Sequence, residues 1–272
     1  MKDRIPYVAG YFYPADEREL ISLISKFIIK TDEKISAIGC VVPHAGYIYS
    51  GKVAGKVYSS IKIPNNVIIL GPNHNGLGAP ASIYKEGKWL TPLGKVDINN
   101  DLSEKILKHS KYLIEDLYAH RYEHSIEVQI PFLQFLNPNI SIVPITIVDY
   151  RTPILYDLAI AIYKAILETN DPILVIASSD FSHYEPLTIA KEKDFYAIEA
   201  ILNLDEEEFM NRVREEDISI CGSGPIFVTI TVSKYLGASK GVLIDYSTSG
   251  DITKDYSEVV GYAGIVFLKE SG

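Results

Sequence analysis

The chain has 272 residues, 47% of them apolar, which is enough to bury a large core in one domain or two. Its 26 Lys and Arg residues are outnumbered by 35 Asp and Glu residues, and the resulting net charge of −9 argues against a nucleic-acid partner. No apolar run reaches the roughly 20 residues that span a bilayer, and the N-terminal stretch MKDRIPYVAGYFYPADE has no signal-peptide pattern. We therefore expect a cytoplasmic protein that binds neither nucleic acid nor a membrane.

Apolar runs of strand length alternate along the chain with longer stretches of helical period, which is typical of an α/β sheet. The predicted strands are residues 35–42, 66–70, 140–148, 172–178 and 259–268. The predicted helices are residues 15–28, a stretch after Gly51, and residues 100–110, 124–136, 153–168, 186–202 and 205–213. Residues 225–237 contain β-branched residues that favour a strand, but Pro225 at the start and Gly237 at the end favour a helix, which we predict.

The chain contains no Pro/Gly/Ser-rich linker, low-complexity tract or internal repeat that would mark a domain boundary. We therefore predict one α/β domain over residues 1–272. Its central sheet should be mostly parallel or mixed, with helices on both faces.

Three of the six histidines follow predicted strands directly: His44 in VVPHAGYIYSG, His74 in GPNHNG and His183 in ASSDFSHY. In open α/β sheets the ligand crevice lies beyond the carboxyl ends of the parallel strands, so these imidazoles should meet in one cleft. A lone histidine is more often a hydrogen-bonded loop or core residue. That simpler interpretation suits His109 near a helix end and His120, which have no comparable surroundings.

Two cysteines cannot build a disulfide framework, and a reducing compartment would keep both as thiols. Cys221 precedes the helix predicted from Pro225, whose free N–H groups would stabilise a thiolate, so it is either a ligand, a nucleophile or a structural thiol. Cys40 lies inside an apolar strand and is expected to be a small buried hydrophobe. Two imidazoles and one thiolate would leave open coordination positions, as two His and a carboxylate do in non-heme Fe(II) oxygenases, and sulfur also suits Cu or Zn.

Further groups are candidates to complete the cleft. Asp180 can orient an imidazole or bind metal directly, and His183 or His124 can move protons for a bound substrate. The motif EHSIEVQ also places His124 and Glu127 three residues apart on a predicted helix face. For Glu127, a role as a simple surface or helix-capping carboxylate is as good an interpretation as a role in the cleft.

The motifs PHAGYIYSG, LGPNH, EHSIEVQIPFL, SSDFSHY and ICGSGP, in this order and over roughly residues 5–268, resemble those of the Memo family. This resemblance implies an α/β fold similar to that of the class III extradiol ring-cleaving dioxygenases, which bind non-heme iron through two His and one Glu. Memo proteins have a Cys in place of that Glu. By position, the resemblance implies metal ligands at His44, His74 and Cys221 and pocket residues at Asp180, His183 and His124.

What the resemblance implies about activity is broad. Animal Memo proteins are linked to cell motility, phosphopeptide binding and iron- or copper-dependent redox chemistry, and prokaryotic relatives are often encoded with a radical-SAM protein and an AMMECR-type protein. We take those two proteins as expected partners, along with a small-molecule or peptide ligand in the cleft. Homo-oligomerisation is left open.

Three functional hypotheses follow. The leading one is a redox or oxygen-using metalloprotein, an oxidoreductase in which His44, His74 and Cys221 hold Fe(II) or Cu, with Zn as a further candidate. Its rival is a non-catalytic module that uses the same cleft to recognise a peptide, protein or metabolite. The third is a hydrolase in which His183 activates Ser182 or Cys221, but the chain has no GxSxG elbow.

Overall fold

A computed structural model of the chain describes residues 3–31 and 33–269. Its strands are β1 (Asp3–Arg4), β2 (Gly39–Val42), β3 (Asn66–Pro72), β4 (Ala81–Ile83), β5 (Lys88–Thr91), β6 (Gly94–Ile98), β7 (Leu113–Glu115), β8 (Ser141–Ile147), β9 (Ile173–Ser178), β10 (His183–Glu185), β11 (Lys240–Thr248) and β12 (Val259–Leu268). Its helices are α1 (Glu17–Phe27), α2 (Tyr47–Ser60), α3 (Asn100–His109), α4 (Ile130–Leu136), α5 (Thr152–Leu167), α6 (Leu187–Leu202), α7 (Glu206–Glu215), α8 (Ser223–Tyr235) and α9 (Gly250–Thr253).

The described strands join one mixed sheet of 12 strands, with the central order β8-β3-β9-β2-β12. Strands β8, β3, β9 and β2 are mutually parallel, and β12 runs antiparallel to β2. The predicted fold class, an α/β protein with a mixed sheet flanked by helices, is confirmed. The implied likeness to extradiol dioxygenases stays a prediction.

Both faces of the central strands are buried, which explains why these strands read as continuous apolar runs. Alternate residues such as Val41 and Ile68 pack into a core formed with α3, α5, α6, α7 and α8. Their neighbours, such as Cys40 and Ile69, pack into a second core formed with α1, α2 and α4. The side chain of Cys40 is fully buried and its pKa is raised by burial, in agreement with the structural role expected for it.

The helix predicted over residues 225–237 is confirmed as α8, which is buried along almost its whole length. The two threonine hydroxyls of this buried helix are satisfied within the helix itself. Thr229 Oγ1 donates to Pro225 O at 2.9 Å and Thr231 Oγ1 donates to Phe227 O at 2.8 Å. Pro225 lies in the first turn, where its missing N–H costs nothing.

The helix predicted over residues 124–136 is wrong at its start. A 3-10 turn over Glu127–Gln129 leads into α4, which begins at Ile130, so His124 lies in the preceding loop. His124 and Glu127 therefore do not share a helix face. The predicted strands do not include β1, β4 to β7, β10 and β11, because these strands are short or only partly buried and lack long apolar runs.

Candidate metal centre

The candidate site lies at the carboxyl edge of three neighbouring parallel strands. His44 follows β2 by two residues, His74 follows β3 by two residues, and Asp180 follows β9 by two residues. Because β9 lies between β3 and β2, the three loops meet at one edge. The predicted convergence at the strand ends is therefore observed for His44 and His74.

A buried serine, Ser178, fixes the orientation of the His44 imidazole through a hydrogen bond at Nδ1. Ser178 Oγ donates to Ser125 O at 2.6 Å, so it acts as an acceptor toward His44 Nδ1, which lies 3.0 Å away. Gln129 Nε2 also donates to this hydroxyl oxygen at 2.8 Å. With its proton on Nδ1, His44 keeps the lone pair on Nε2, the nitrogen that faces Cys221.

The carboxylate of Glu123, which was not among the predicted site residues, orients His74 in the same way. Glu123 Oε1 accepts from His74 Nδ1 at 2.9 Å, and Glu123 Oε2 accepts from the His74 backbone N–H at 2.6 Å. The backbone N–H groups of His124 and Ser125 also donate to Oε1, each at 2.9 Å. Burial alone would raise the pKa of Glu123, but the hydrogen bond and charge of His74 outweigh it and lower that pKa to about 2.

Cys221 completes the group from the loop that precedes α8. Its Sγ lies 3.2 Å from His44 Nε2 and accepts from the Asp180 N–H at 3.3 Å. Burial and the carboxylate of Asp180 raise the pKa of the Cys221 thiol. The start of α8 is therefore not sufficient to stabilise a thiolate as the sequence suggested, and a cation close to the sulfur would be needed.

One ligand atom from each of His44, His74 and Cys221 lies within 4.8 Å of the others. Two imidazole nitrogens with free lone pairs and one sulfur fit an ion that accepts nitrogen and sulfur ligands. Burial and the neighbouring His74 lower the pKa of His44 well below 6.5, so its imidazole is neutral and able to bind a metal at physiological pH.

A third imidazole borders the same group. The ring of His124 stacks on that of His74 with centroids 4.6 Å apart and lies edge-on to that of His44 at 5.5 Å. Burial and the adjacent His44 lower the pKa of His124 to about 4. His74, Glu123 and His124 form a second set of side chains with ligand atoms near one another.

The structure brings Asp180 to the centre and leaves His183 at its margin. Asp180 Oδ1 accepts from the His44 backbone N–H at 2.7 Å, and burial raises the pKa of this carboxyl group. His183 is half-buried, and its Nδ1 lies 2.8 Å from Ser219 O. Because a carbonyl only accepts, the proton is on Nδ1 and Nε2 of His183 is free to accept one.

Other candidates have structural roles instead. Glu127 is buried against Arg4 and accepts from Tyr13 Oη at 2.6 Å, so it anchors the N-terminal segment. Ser182 is fully buried and donates to Asp194 Oδ1 at 2.6 Å, which is at odds with a hydrolase nucleophile activated by His183. His120 is also fully buried.

Fold and side chains thus define an α/β protein with a candidate His2Cys metal site at the carboxyl edge of its parallel strands. A family model described as "Memo-like protein" matches residues 4–266, and the chain belongs to this family.

Relatives match over almost their full length. A "MEMO1 family protein" of Aquifex aeolicus is 46% identical over 98% of this chain and 100% of its own. A relative from Pyrobaculum arsenaticum is 44% identical over 98% of this chain and 99% of its own. A relative from Methanococcus maripaludis is 46% identical over 97% of this chain and 99% of its own. Within residues 3–31 and 33–269, no helix has the length and apolar character needed to cross a membrane.

Proposed function

We propose that this protein binds a redox-active metal ion, Fe(II) or Cu, through His44 Nε2, His74 Nε2 and Cys221 Sγ, and that the site supports a redox or oxygen-using reaction. One observation carries the proposal. Both imidazoles are oriented through hydrogen bonds at Nδ1, by Ser178 and Glu123, which leaves Nε2 of each ring with a lone pair; one nitrogen of each ring lies in the group that includes Cys221 Sγ.

A metal bound there would supply Lewis-acid and electron-transfer chemistry at open coordination positions. The protein side chains would hold the ligands and move protons. Asp180 links the two loops that carry His44 and Cys221: its carboxylate accepts from the His44 backbone N–H, and its own backbone N–H donates to Cys221 Sγ. The free Nε2 of His183 accepts a proton from a bound substrate, and His124 supplies a second neutral base.

Metal analysis after purification without oxygen tests the first part. We expect about one equivalent of Fe or Cu per chain in the wild type, and its loss in Cys221→Ala, because removing an anionic ligand weakens a three-ligand site severely. Cys40→Ala is the matched control, since Cys40 is fully buried on β2 and takes no part in the ligand group. Equal, negligible Fe and Cu in the wild type and in Cys221→Ala would remove the hypothesis.

The reaction is tested separately. Oxygen consumption by the metal-loaded protein with ascorbate as reductant should fall in His183→Gln while metal content stays at the wild-type value, because His183 is outside the ligand group. His109→Gln is the matched control, because the His109 ring pairs with Glu168 and takes no part in the ligand group. Metal-loaded protein that consumes no oxygen above free metal would refute the redox activity and leave the metal site intact.

A further inference from the structure

A carboxyl group that the proposed metal chemistry does not use is buried next to the loop of Asp180 and His183. Asp194 lies on α6, and its side chain is fully buried. The adjacent cation in the chain, Lys193, pairs with Glu185 at 2.6 Å and not with Asp194. Burying a carboxyl group is destabilising unless hydrogen bonds replace the lost water, so the donors around Asp194 indicate its role.

Three hydrogen bonds hold Asp194, and two of them come from one residue. Ser182 donates to Asp194 Oδ1 with its backbone N–H at 2.9 Å and with its hydroxyl at 2.6 Å. Tyr246 Oη donates to Asp194 Oδ2 at 2.7 Å. These bonds oppose the effect of burial, which raises the pKa of Asp194. Because Ser182 directly precedes His183, the carboxyl group holds the chain at the residue next to the proposed base.

Strand β12 holds the same stretch of backbone. The Phe181 N–H donates to Gly261 O at 2.8 Å, and the Gly261 N–H donates to Ser182 O at 2.9 Å. Gly261 also leaves the space that the carboxyl group occupies, because a Cβ at this position would overlap Asp194 Oδ2. Both backbone polar groups of Ser182 therefore have partners, one on α6 and one on β12.

The backbone on the other side of His183 is in an unfavourable conformation. Tyr184 has a φ of 58°, in the left-handed region that residues other than glycine seldom adopt. The pairing of β10 with β12 is also irregular here, between His183 and Glu185. Such a conformation persists only where surrounding contacts enforce it. The contacts of Ser182 therefore help to set the direction in which the His183 side chain leaves the backbone.

The contacts of the His183 ring depend on that direction. The His183 backbone N–H donates to Ser219 Oγ at 2.8 Å, and the ring Nδ1 lies 2.8 Å from Ser219 O. The carbonyl keeps the proton on Nδ1 and leaves Nε2 free to accept one. A small rotation of the His183 backbone would break this bond and allow the other tautomer.

From these contacts we infer that Asp194 is a positioning residue for His183 and acts through Ser182. The inference rests on the role of His183 as a base in the proposed function, but the contacts belong to the folded chain itself. Asp194 is not part of the ligand group, so its removal should change the His183 ring and leave the metal content unchanged.

Nitrogen NMR of the full, metal-free chain labelled at histidine tests the inference, because it distinguishes the two neutral tautomers of an imidazole. Spectra are recorded at about pH 8, above the ordinary histidine pKa of about 6.5, and His183→Gln identifies the His183 signals. We expect wild-type His183 to carry its proton on Nδ1. In Asp194→Ala the ratio of the Nδ1–H form to the Nε2–H form should fall about 2- to 10-fold, which corresponds to the loss of one hydrogen bond.

Three further variants sharpen the test. Asp194→Asn keeps an oxygen that can accept from Ser182, so its His183 ratio should stay close to that of the wild type. Ser182→Ala removes only the hydroxyl donor and should lower the ratio less than Asp194→Ala does. Asp157→Ala is the matched control, because Asp157 on α5 likewise accepts from a serine hydroxyl at 2.5 Å and from a backbone N–H at 2.9 Å, in the loop before β7. It should leave the His183 ratio unchanged.

Thermal melts establish that each variant is folded, and where Asp194→Ala is not, Ser182→Ala alone decides. An unchanged His183 ratio in the folded variants Asp194→Ala and Ser182→Ala would overturn the inference, as would an equal change in Asp157→Ala. Equal changes in Asp194→Asn and Asp194→Ala would assign the effect to the charge and refute positioning through Ser182.

Oxygen consumption by the metal-loaded chain is scored separately. Asp194→Ala should consume oxygen more slowly than the wild type, and adding Asp194→Ala to His183→Gln should cause no further loss, because both changes act on one group. If the His183 ratio shifts in Asp194→Ala while the wild type consumes no oxygen above free metal, the proposed redox activity fails and the positioning role stands.

Discussion

Ser178, whose hydroxyl contacts His44 Nδ1, offers the sharpest test of how the candidate metal centre is built. Ser178→Ala removes the acceptor for His44 Nδ1 at 3.0 Å and the donor to Ser125 O at 2.6 Å. Both groups are buried, so losing their partner should lower the free energy of unfolding by about 1–3 kcal/mol. The freed imidazole can also change tautomer, and loss of such a supporting hydrogen bond typically weakens metal affinity about 10- to 100-fold.

The measurements are urea unfolding of the metal-free chain and competition of Zn²⁺ against a chelator without oxygen. Zn²⁺ is chosen because it binds nitrogen and sulfur ligands and undergoes no redox reaction. Ser233→Ala is the matched control, because Ser233 is fully buried on α8 and its hydroxyl has no partner in the described part of the chain. Its unfolding free energy should change by less than about 0.5 kcal/mol, or rise.

If Ser178→Ala binds Zn²⁺ within about twofold of the wild type, orientation of His44 through Nδ1 does not determine metal affinity. If Ser233→Ala weakens Zn²⁺ to the same extent as Ser178→Ala, the effect comes from general loss of packing. Either outcome would remove the structural reason for choosing His44 Nε2 as the ligand atom.

Three further outcomes are expected. Zn²⁺ binding at pH 7 should release about one proton from the Cys221 thiol, because the pKa of this thiol is raised, and the Zn²⁺ affinity should therefore rise with pH. Calorimetry in buffers of different ionisation heat should find about one released proton fewer in Cys221→Ala. Glu127→Gln leaves the Arg4 guanidinium buried without its ion-pair partner and should lower the free energy of unfolding by about 3–5 kcal/mol, measured by thermal unfolding. The control Asp97→Asn, which removes an exposed ion pair with Lys88, should lower it by less than about 0.5 kcal/mol. The pKa of Glu123 is lowered from about 4.5 to about 2, which contributes about 3 kcal/mol to the free energy of unfolding. This contribution is present above pH 4.5 and is lost as the pH falls through 2, and acid unfolding of Glu123→Gln should lack this loss.

The elements that could be predicted from the sequence are those whose burial is nearly complete. Strands β3, β8 and β9 are covered on both faces, so their apolar runs mark them clearly, and the histidines after β2 and β3 could be placed from strand ends alone. Strand β11 is only partly buried along most of its length and has no such run, so its pattern carries little signal.

The role of Glu123 could not be predicted for a different reason. A carboxylate becomes a support for a metal ligand through the N–H groups that surround it, and these come from His74 and from the loop of His124 and Ser125. That geometry is a property of the folded loop. In the sequence, Glu123 is marked only by its position directly before His124 in the EHSIEVQ motif, in which Glu127 is the predicted candidate.

Strand β12 has a consequence for when the candidate metal site can form during synthesis. Cys221 and His44 are 177 residues apart in the chain, and β2, which leads into His44, gains one of its two neighbouring strands only from β12. Chains emerge from the ribosome N-terminus first, so His44 and His74 are synthesised long before the sulfur and before the sheet can close beside them. A nascent chain thus holds the two imidazoles without the sulfur, so the complete three-residue candidate site can form only after Cys221 has been synthesised.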